Sequence, residues 1–379
     1  MYAAIEDGGV SVRGLYIHLP FCVKKCSYCD FYSLPARLGS LESYVQAVVH
    51  ESCRYAGLSF QTLYLGGGTP SLLGARNLRN LVGGIRKSLD LSNLVESTIE
   101  VNPESATSEL LEAAKEAGIN RVSIGVQSLS DYELQSVGRI HNAAQAIEAI
   151  KIARRIGFKS VSVDIIIGLP GQSWSTLRKA LETLVGAGIE HISLYCLSLE
   201  EGTPLEKSPP EDLPTDDMQA QLFEQARSFL LGCGFAHYEI SNFALKGCEC
   251  LHNLNYWRGG EYVGLGPAAA SHLYGRRFRN RADLDAYIER PDGITEDVEE
   301  LNARDKASEE AMLRLRLLVE GLDVSELAAR FGQDNIEPLI SRLDHMAHDR
   351  LLVFDGLRYR LMPSRILTSN PIFAEVLCF

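Results

Sequence analysis

Residues 15–32 read LYIHLPFCVKKCSYCDFY, and the three cysteines in this stretch, Cys22, Cys26 and Cys29, follow a C-x3-C-x2-C spacing. Three thiolates on one short loop can ligate three irons of a cubane 4Fe-4S cluster, which leaves the fourth iron without a protein ligand. An open coordination position is a place for a reactant, as in catalytic zinc sites. The amino and carboxylate groups of S-adenosylmethionine suit such an iron. An electron from a low-potential cluster then cleaves the sulfonium to a 5′-deoxyadenosyl radical, chemistry that belongs to the cofactor pair and not to a side chain. Two blander readings compete. A disulfide with a spare thiol belongs to secreted proteins. Zinc asks for a fourth Cys or His nearby; His18 is a candidate, but it lies in an alternation at 15–19 that reads as a strand.

Outward from this loop, bulk properties narrow the class. The 379 residues leave room for one large core or two domains. With 46% hydrophobic and 23% charged residues the chain is ordinary for a soluble globular protein. A formal net charge of −12 argues against a role that rests on neutralising nucleic-acid phosphates. No run approaches the roughly 18 uncharged apolar residues of a membrane span. The opening MYAAIEDGGV lacks a basic region followed by an apolar one, so no signal peptide is expected. Nine cysteines without export imply a reducing, cytoplasmic setting in which thiolates serve metals.

Six short apolar runs, at 15–19, 62–65, 97–101, 121–126, 161–167 and 192–197, read as strands. Amphipathic stretches at 41–55, 75–89, 108–117, 143–156 and 174–187 read as the helices between them, three stopping at Gly118, Gly157 and Gly188. Such β-α repeats imply a parallel sheet with right-handed crossovers. The β-branched run VSVDIII suits a strand covered on both faces. The expected class is α/β, a partial (β/α)6 relative of the TIM barrel with reactive groups at the C-terminal strand ends. Composition changes after Pro204, and the expected division is a barrel core at 1–205, an extension at 206–304 and a helical module at 305–379. That module ends in a hairpin signal around Asp355-Gly356, which gives it a winged-helix look. Residues 306–379 carry 9 Lys/Arg against 11 Asp/Glu, so a lid or docking role is expected and DNA binding is not.

Further constellations bear on chemistry. LYLGGGTPS at 63–71 follows a strand directly; its glycines let backbone approach a ligand and offer N–H groups to it. Four polar residues recur at or near strand ends: Glu100 in IEVNPE, Gln127 in SIGVQS, Arg139 in GRIHN and Asp164 in VDIIIGLPG. A carboxylate and an amide can hold ribose hydroxyls, and an arginine can pair with a carboxylate. Asp164, inside an apolar strand, demands a hydrogen-bonded partner. HNLNYW at 252–257 follows Cys248 and Cys250. His252 beside Tyr256 and Trp257 suits a flat porphyrin with the imidazole as axial ligand, although such a trio is also ordinary packing. The cysteine pair could hold metal or be inert.

In order, LYIHLPFCVKKCSYCDF, YLGGGTPSLL, IEVNPE, RVSIGVQSL, VDIIIGLPGQ and HNLNYW resemble the radical S-adenosylmethionine proteins related to oxygen-independent coproporphyrinogen III dehydrogenase. Within that group they resemble the HemW branch of haem chaperones, over nearly the whole chain. The resemblance makes Cys22, Cys26 and Cys29 the cluster ligands. It makes Tyr16, Gly67, Gly68, Thr69, Glu100, Gln127, Arg139 and Asp164 contacts of S-adenosylmethionine. It implies haem as cargo, acceptor haemoproteins and an electron-donor protein as partners, and leaves a homodimer open. The coproporphyrinogen enzymes carry a further Cys two places after the third ligand, where this chain has Phe31, and a longer arm than the 21 residues that precede Cys22 here. Both departures count against the alternative, radical decarboxylation of coproporphyrinogen III.

Overall fold

The computed structural model describes residues 12–36, 38–292 and 295–377; the opening decapeptide discussed above and Cys378 lie outside them. The expected strands form as β1 (Arg13–Leu19), β2 (Thr62–Gly67), β3 (Glu96–Val101), β4 (Arg121–Gln127), β5 (Ser160–Ile167) and β6 (His191–Cys196). They pair in chain order, each parallel to the next. Helices α1 (Leu41–Ser52), α2 (Gly74–Ile85), α3 (Ser108–Glu116), α4 (Ala143–Ile156) and α5 (Trp174–Gly186) make the crossovers.

The local causes are visible in α4. Asn142 and Gln145 form a reciprocal capping box at its start, and Gly157 ends it at φ +81°. Between them Ala146, Ala149, Ile150 and Ala153 form the i, i+3, i+4, i+7 stripe that buries one face. Gly118 and Gly188 stop their helices in the same left-handed way. In β5 every residue but Asp164 is buried, as a strand covered by helices on one face and packed inside the arc on the other requires.

The sheet is larger than the six-strand expectation. Beyond β6 lie two antiparallel strands, β7 (Ala236–His237) and β8 (Asn242–Ala244). On the far side of β1 come β9 (Glu261–Leu265), parallel to it, and the antiparallel run β10 (Ala270–Leu273), β11 (Arg276–Asn280) and β12 (Thr295–Glu300). The order is β12-β11-β10-β9-β1-β2-β3-β4-β5-β6-β8-β7, so β1 lies mid-sheet and the barrel stays open. The glycine-rich sequence of residues 256–275 holds β9 and β10, with Gly259, Gly266 and Gly275 at positive φ in the turns around them. Arg13 locks the β1–β9 seam by donating to Glu261 at 2.5 Å. Glu51 of α1, buried, accepts from Tyr287 Oη (2.5 Å), Asn280 Nδ2 (2.6 Å) and the Gly266 N–H (2.9 Å), pinning the helix layer to the added strands.

The C-terminal part packs α6 (Ala303–Arg314), α7 (Val324–Phe331), α8 (Gln333–His348) and α9 (Ser369–Leu377) around a three-stranded sheet of Leu322–Asp323, Arg358–Leu361 and Leu352–Phe354. The expected hairpin is there, turning through Gly356 at φ +95°. Leu343 of α8, Tyr359 of the hairpin and Phe373 of α9 join the same apolar cluster as the barrel residues. Among the described residues no helix is long and apolar enough to cross a membrane.

Candidate functional site

The loop after β1 carries Cys22, Cys26 and Cys29, all free thiols at intermediate exposure. Burial raises the Cys29 thiol, and the charges of Cys26 and Cys22 add to the shift, so the three lie within one another's field. Among the described residues no three His, Cys, Asp or Glu side chains close around a point that a single ion would fill. A cubane sets each thiolate on a separate iron and asks for a wider triangle. Donors already face these sulfurs: Thr69 Oγ1 reaches Cys22 Sγ at 3.6 Å and Arg139 Nη1 reaches Cys26 Sγ at 3.5 Å, with the Tyr28 hydroxyl also at Cys26 and the Phe31 N–H at Cys29. The donor set and its surroundings fit a cluster.

The other expected residues gather at the same C-terminal strand ends. Tyr16 donates to His18 Nδ1 at 3.0 Å, while His18 Nε2 faces the Tyr32 carbonyl at 2.9 Å. A carbonyl only accepts, and burial holds the imidazole below its ordinary pKa, so His18 is neutral with its proton on Nε2. Glu100 accepts from Tyr64 Oη at 2.7 Å and from the Gly67 N–H at 3.2 Å. Burial lifts its carboxyl to about 7, with the nearby Asp164 charge adding to the rise. Asp164 accepts from Ser123 Oγ at 3.4 Å, the partner its apolar strand demands, and burial raises it too. Gln127 sits at φ +62°, where the β4–β5 ladder breaks register, and its Nε2 comes within 3.1 Å of where a Cβ on Gly125 would lie.

The glycine triplet is used differently from the expectation. The Gly67 N–H goes to Glu100 and the Gly68 N–H to the Leu19 carbonyl at 2.7 Å, so neither is left over for a ligand. What the triplet supplies is close approach. Gly67 holds φ +109°, and a Cβ there would lie 2.7 Å from two atoms of the His18 ring; one on Gly68 would lie 2.7 Å from the Phe21 carbonyl. Sequence reasoning missed Asn102, which donates to Thr69 Oγ1 at 3.1 Å and accepts from Arg139 Nη2 at 2.8 Å. The only signal for it was an Asn between a strand and Pro103.

His252 is the clearest correction. It lies in the short helix Leu251–Trp257, buried, stacked on Tyr64 with ring centroids 5.1 Å apart. Its Nδ1 engages Thr62 Oγ1 at 2.8 Å and its Nε2 engages Tyr256 Oη at 2.8 Å. Burial, helped by the Arg121 charge, holds it down to about 3. Glu96 caps the helix, accepting from the Leu251 and His252 N–H groups at 3.0 and 2.9 Å. Thr62 and Glu96 begin β2 and β3, so HNLNYW plugs the N-terminal opening of the arc, about 16 Å of strand from the cysteine end. Neither ring nitrogen is free to ligate iron in this arrangement. Cys250 belongs to the same plug, its thiol facing Glu96 at 3.5 Å and pushed up to about 12 by burial. Cys248 stays partly exposed.

Comparison with known proteins agrees with this geometry. Residues 16–184 match the Radical SAM superfamily and residues 301–364 the HemN C-terminal domain. The coproporphyrinogen III oxidase HemN of Escherichia coli superposes with a TM-score of 0.82 over 97% of this chain and 89% of its own, at 22% identity, which establishes the shared fold. The parallel arc with three cysteines after its first strand thus defines a radical S-adenosylmethionine protein, a class whose cofactors are a 4Fe-4S cluster and S-adenosylmethionine. Heme chaperone HemW of Bacillus subtilis is 34% identical over 382 residues, 97% of this chain and 99% of that one. The Lactococcus lactis protein of the same name is 30% identical over 96% of both chains, and that of E. coli 38% over 80% and 82%. The chain belongs to the HemW family.

Proposed function

We propose that this protein is a cytoplasmic haem chaperone, which binds haem and passes it to acceptor haemoproteins. The observation that carries the reading is identity of 30–38% with proteins called heme chaperones along most of the chain. Cys22, Cys26 and Cys29 would hold the 4Fe-4S cluster. Tyr16, Gly67, Gly68, Thr69, Glu100, Gln127, Arg139 and Asp164 would line the S-adenosylmethionine pocket. When bound, the pair supplies one-electron reductive cleavage of a sulfonium, fed by an electron-donor protein. Glu100 would accept from ribose hydroxyls and Arg139 would face a carboxylate. Residues 305–379 would act as a lid or docking module.

One observation favours a second reading, radical decarboxylation of coproporphyrinogen III: the fold shared with the E. coli oxidase. Phe31, 63% exposed on the cluster loop, stands where that enzyme class carries its extra cysteine and speaks against it. The test runs two assays on one anaerobically reconstituted preparation. Haem addition is followed by absorbance and then by transfer to an apo-haemoprotein, and coproporphyrinogen III turnover is followed by product analysis. Haem binding and transfer without decarboxylation is the expected result; stoichiometric protoporphyrinogen would overturn it.

A further inference from the structure

The amide of Asn102 has only one satisfactory orientation. A guanidinium has donors and no acceptor, so the atom 2.8 Å from Arg139 Nη2 must be Oδ1. Its Nδ2 then points at Thr69 Oγ1, 3.1 Å away, and donates to it. With one lone pair of the buried Thr69 hydroxyl so engaged, its own proton is directed onward to Cys22 Sγ at 3.6 Å. Arg139, held by Asn102 and by the Gly125 carbonyl at 2.9 Å, turns Nη1 to Cys26 Sγ at 3.5 Å. One amide therefore stands behind two of the donors that face the cysteine sulfurs, the Thr69 hydroxyl at Cys22 and the Arg139 guanidinium at Cys26. The Tyr28 hydroxyl at Cys26 and the Phe31 N–H at Cys29 are held independently of it. Gly125 makes room for it, since a Cβ there would lie 2.9 Å from Asn102 Oδ1. The Asn102 backbone is steadied in turn by its N–H donating to Ser71 Oγ at 3.4 Å.

Hydrogen bonds to cluster-ligating sulfurs stabilise the reduced, more negative cluster and so raise its potential, and partners one shell out orient those that touch the ligands. We propose that Asn102 is a positioning residue that aims the Thr69 hydroxyl at Cys22 and the Arg139 guanidinium at Cys26, and thereby sets the reduction potential of the cluster. This rests on the assignment of the three cysteines as cluster ligands.

The experiment is a redox titration of reconstituted protein followed by electron paramagnetic resonance, with iron content measured in parallel. Asn102→Asp is the informative change, because a carboxylate only accepts and draws the Thr69 proton away from Cys22. We expect Asn102→Asp and Thr69→Val each to lower the reduction equilibrium constant about tenfold, or about 59 mV for one electron. The aspartate's charge acts in either background, so the decisive quantity is the pair. In the double variant the effect of Asn102→Asp should be clearly smaller than alone, because no hydroxyl remains to be turned. Fully additive shifts, or an unmoved potential in Asn102→Asp at full iron content, would overturn the inference. If Asn102→Asp does not hold its iron, the same cycle is read with Asn102→Ala. Wild type that loads no cluster would instead overturn the cysteine assignment.

Discussion

Lowering the pH from 8 to 6 should weaken S-adenosylmethionine binding about tenfold, through Glu100. Burial raises this carboxyl from 4.5 to about 7; the Tyr64 hydroxyl pulls it down, Asp164 pushes it up and the Gly67 N–H pulls it down again. Ribose hydroxyls would donate to it, so the ionised form is the better acceptor. With a midpoint near 7, roughly nine-tenths of the groups are ionised at pH 8 and roughly one-tenth at pH 6, the source of the tenfold figure. Binding at pH 6 should then release close to one proton. His18 does not contribute, because burial keeps it neutral below its ordinary range. The assay is calorimetry at pH 6, 7 and 8, in two buffers of different ionisation heat. Glu100→Gln should flatten the profile, whereas Asp164→Asn, by removing a like charge, should move its midpoint to lower pH. An equal slope in Glu100→Gln, or no slope in wild type, would refute the reasoning.

Three further outcomes follow from the same geometry. Replacing Cys22, Cys26 or Cys29 by Ser should strip iron from reconstituted protein, while the same change at Cys53, Cys196 or Cys233 should not; iron analysis decides. His252→Ala should cost about 2–5 kcal/mol in denaturant unfolding, for the lost packing and the two hydroxyls left without their partner, yet keep haem binding; lost haem absorbance at unchanged stability would return His252 to the list of haem contacts. In the ligand-free protein the carboxyls of Glu51, Glu100 and Glu239, all lifted by burial to about 7, hold protons that the unfolded chain has released above about 4.5, a contribution to stability lost as pH rises. The imidazoles of His18, His237 and His252, held below their ordinary range by burial, act in the opposite sense over the same window. The unfolding free energy of Glu239→Gln relative to wild type should therefore rise between about pH 4.5 and about pH 7, and a relative fall would contradict that sign.

The parallel core was legible because its signals are local. Apolar runs, amphipathic helices and glycine stops each lie within a few residues of what they decide, and all six strands formed in the expected order. The cysteine loop and its partners were legible for the same reason, since strand-end residues of a parallel arc converge whatever the details. What escaped was set by distant partners. The strands β9 to β12 carry a charged, Gly-broken sequence whose pairing depends on β1, far upstream. HNLNYW was visible as a motif, but its place at the strand beginnings is fixed by Thr62 and Glu96. Asn102 looked like a residue ending a strand; only Thr69 and Arg139, from two other segments, give its amide a direction.

The mid-sheet place of β1 also bears on how the protein is made. On a growing chain β2 is available to pair with β1 early, but the other edge of β1 waits for β9, its Arg13 for a glutamate 248 residues later. Glu51 waits likewise, its three donors lying 215 to 236 residues downstream. For most of synthesis the strand that leads into the cysteine loop is therefore a bare edge, open to wrong pairing. Contacts of such separation form slowly. Completion of residues 261–287 is thus the event that seals the first strand, and a chain halted before it would expose the edge beside its cysteine loop to whatever is near.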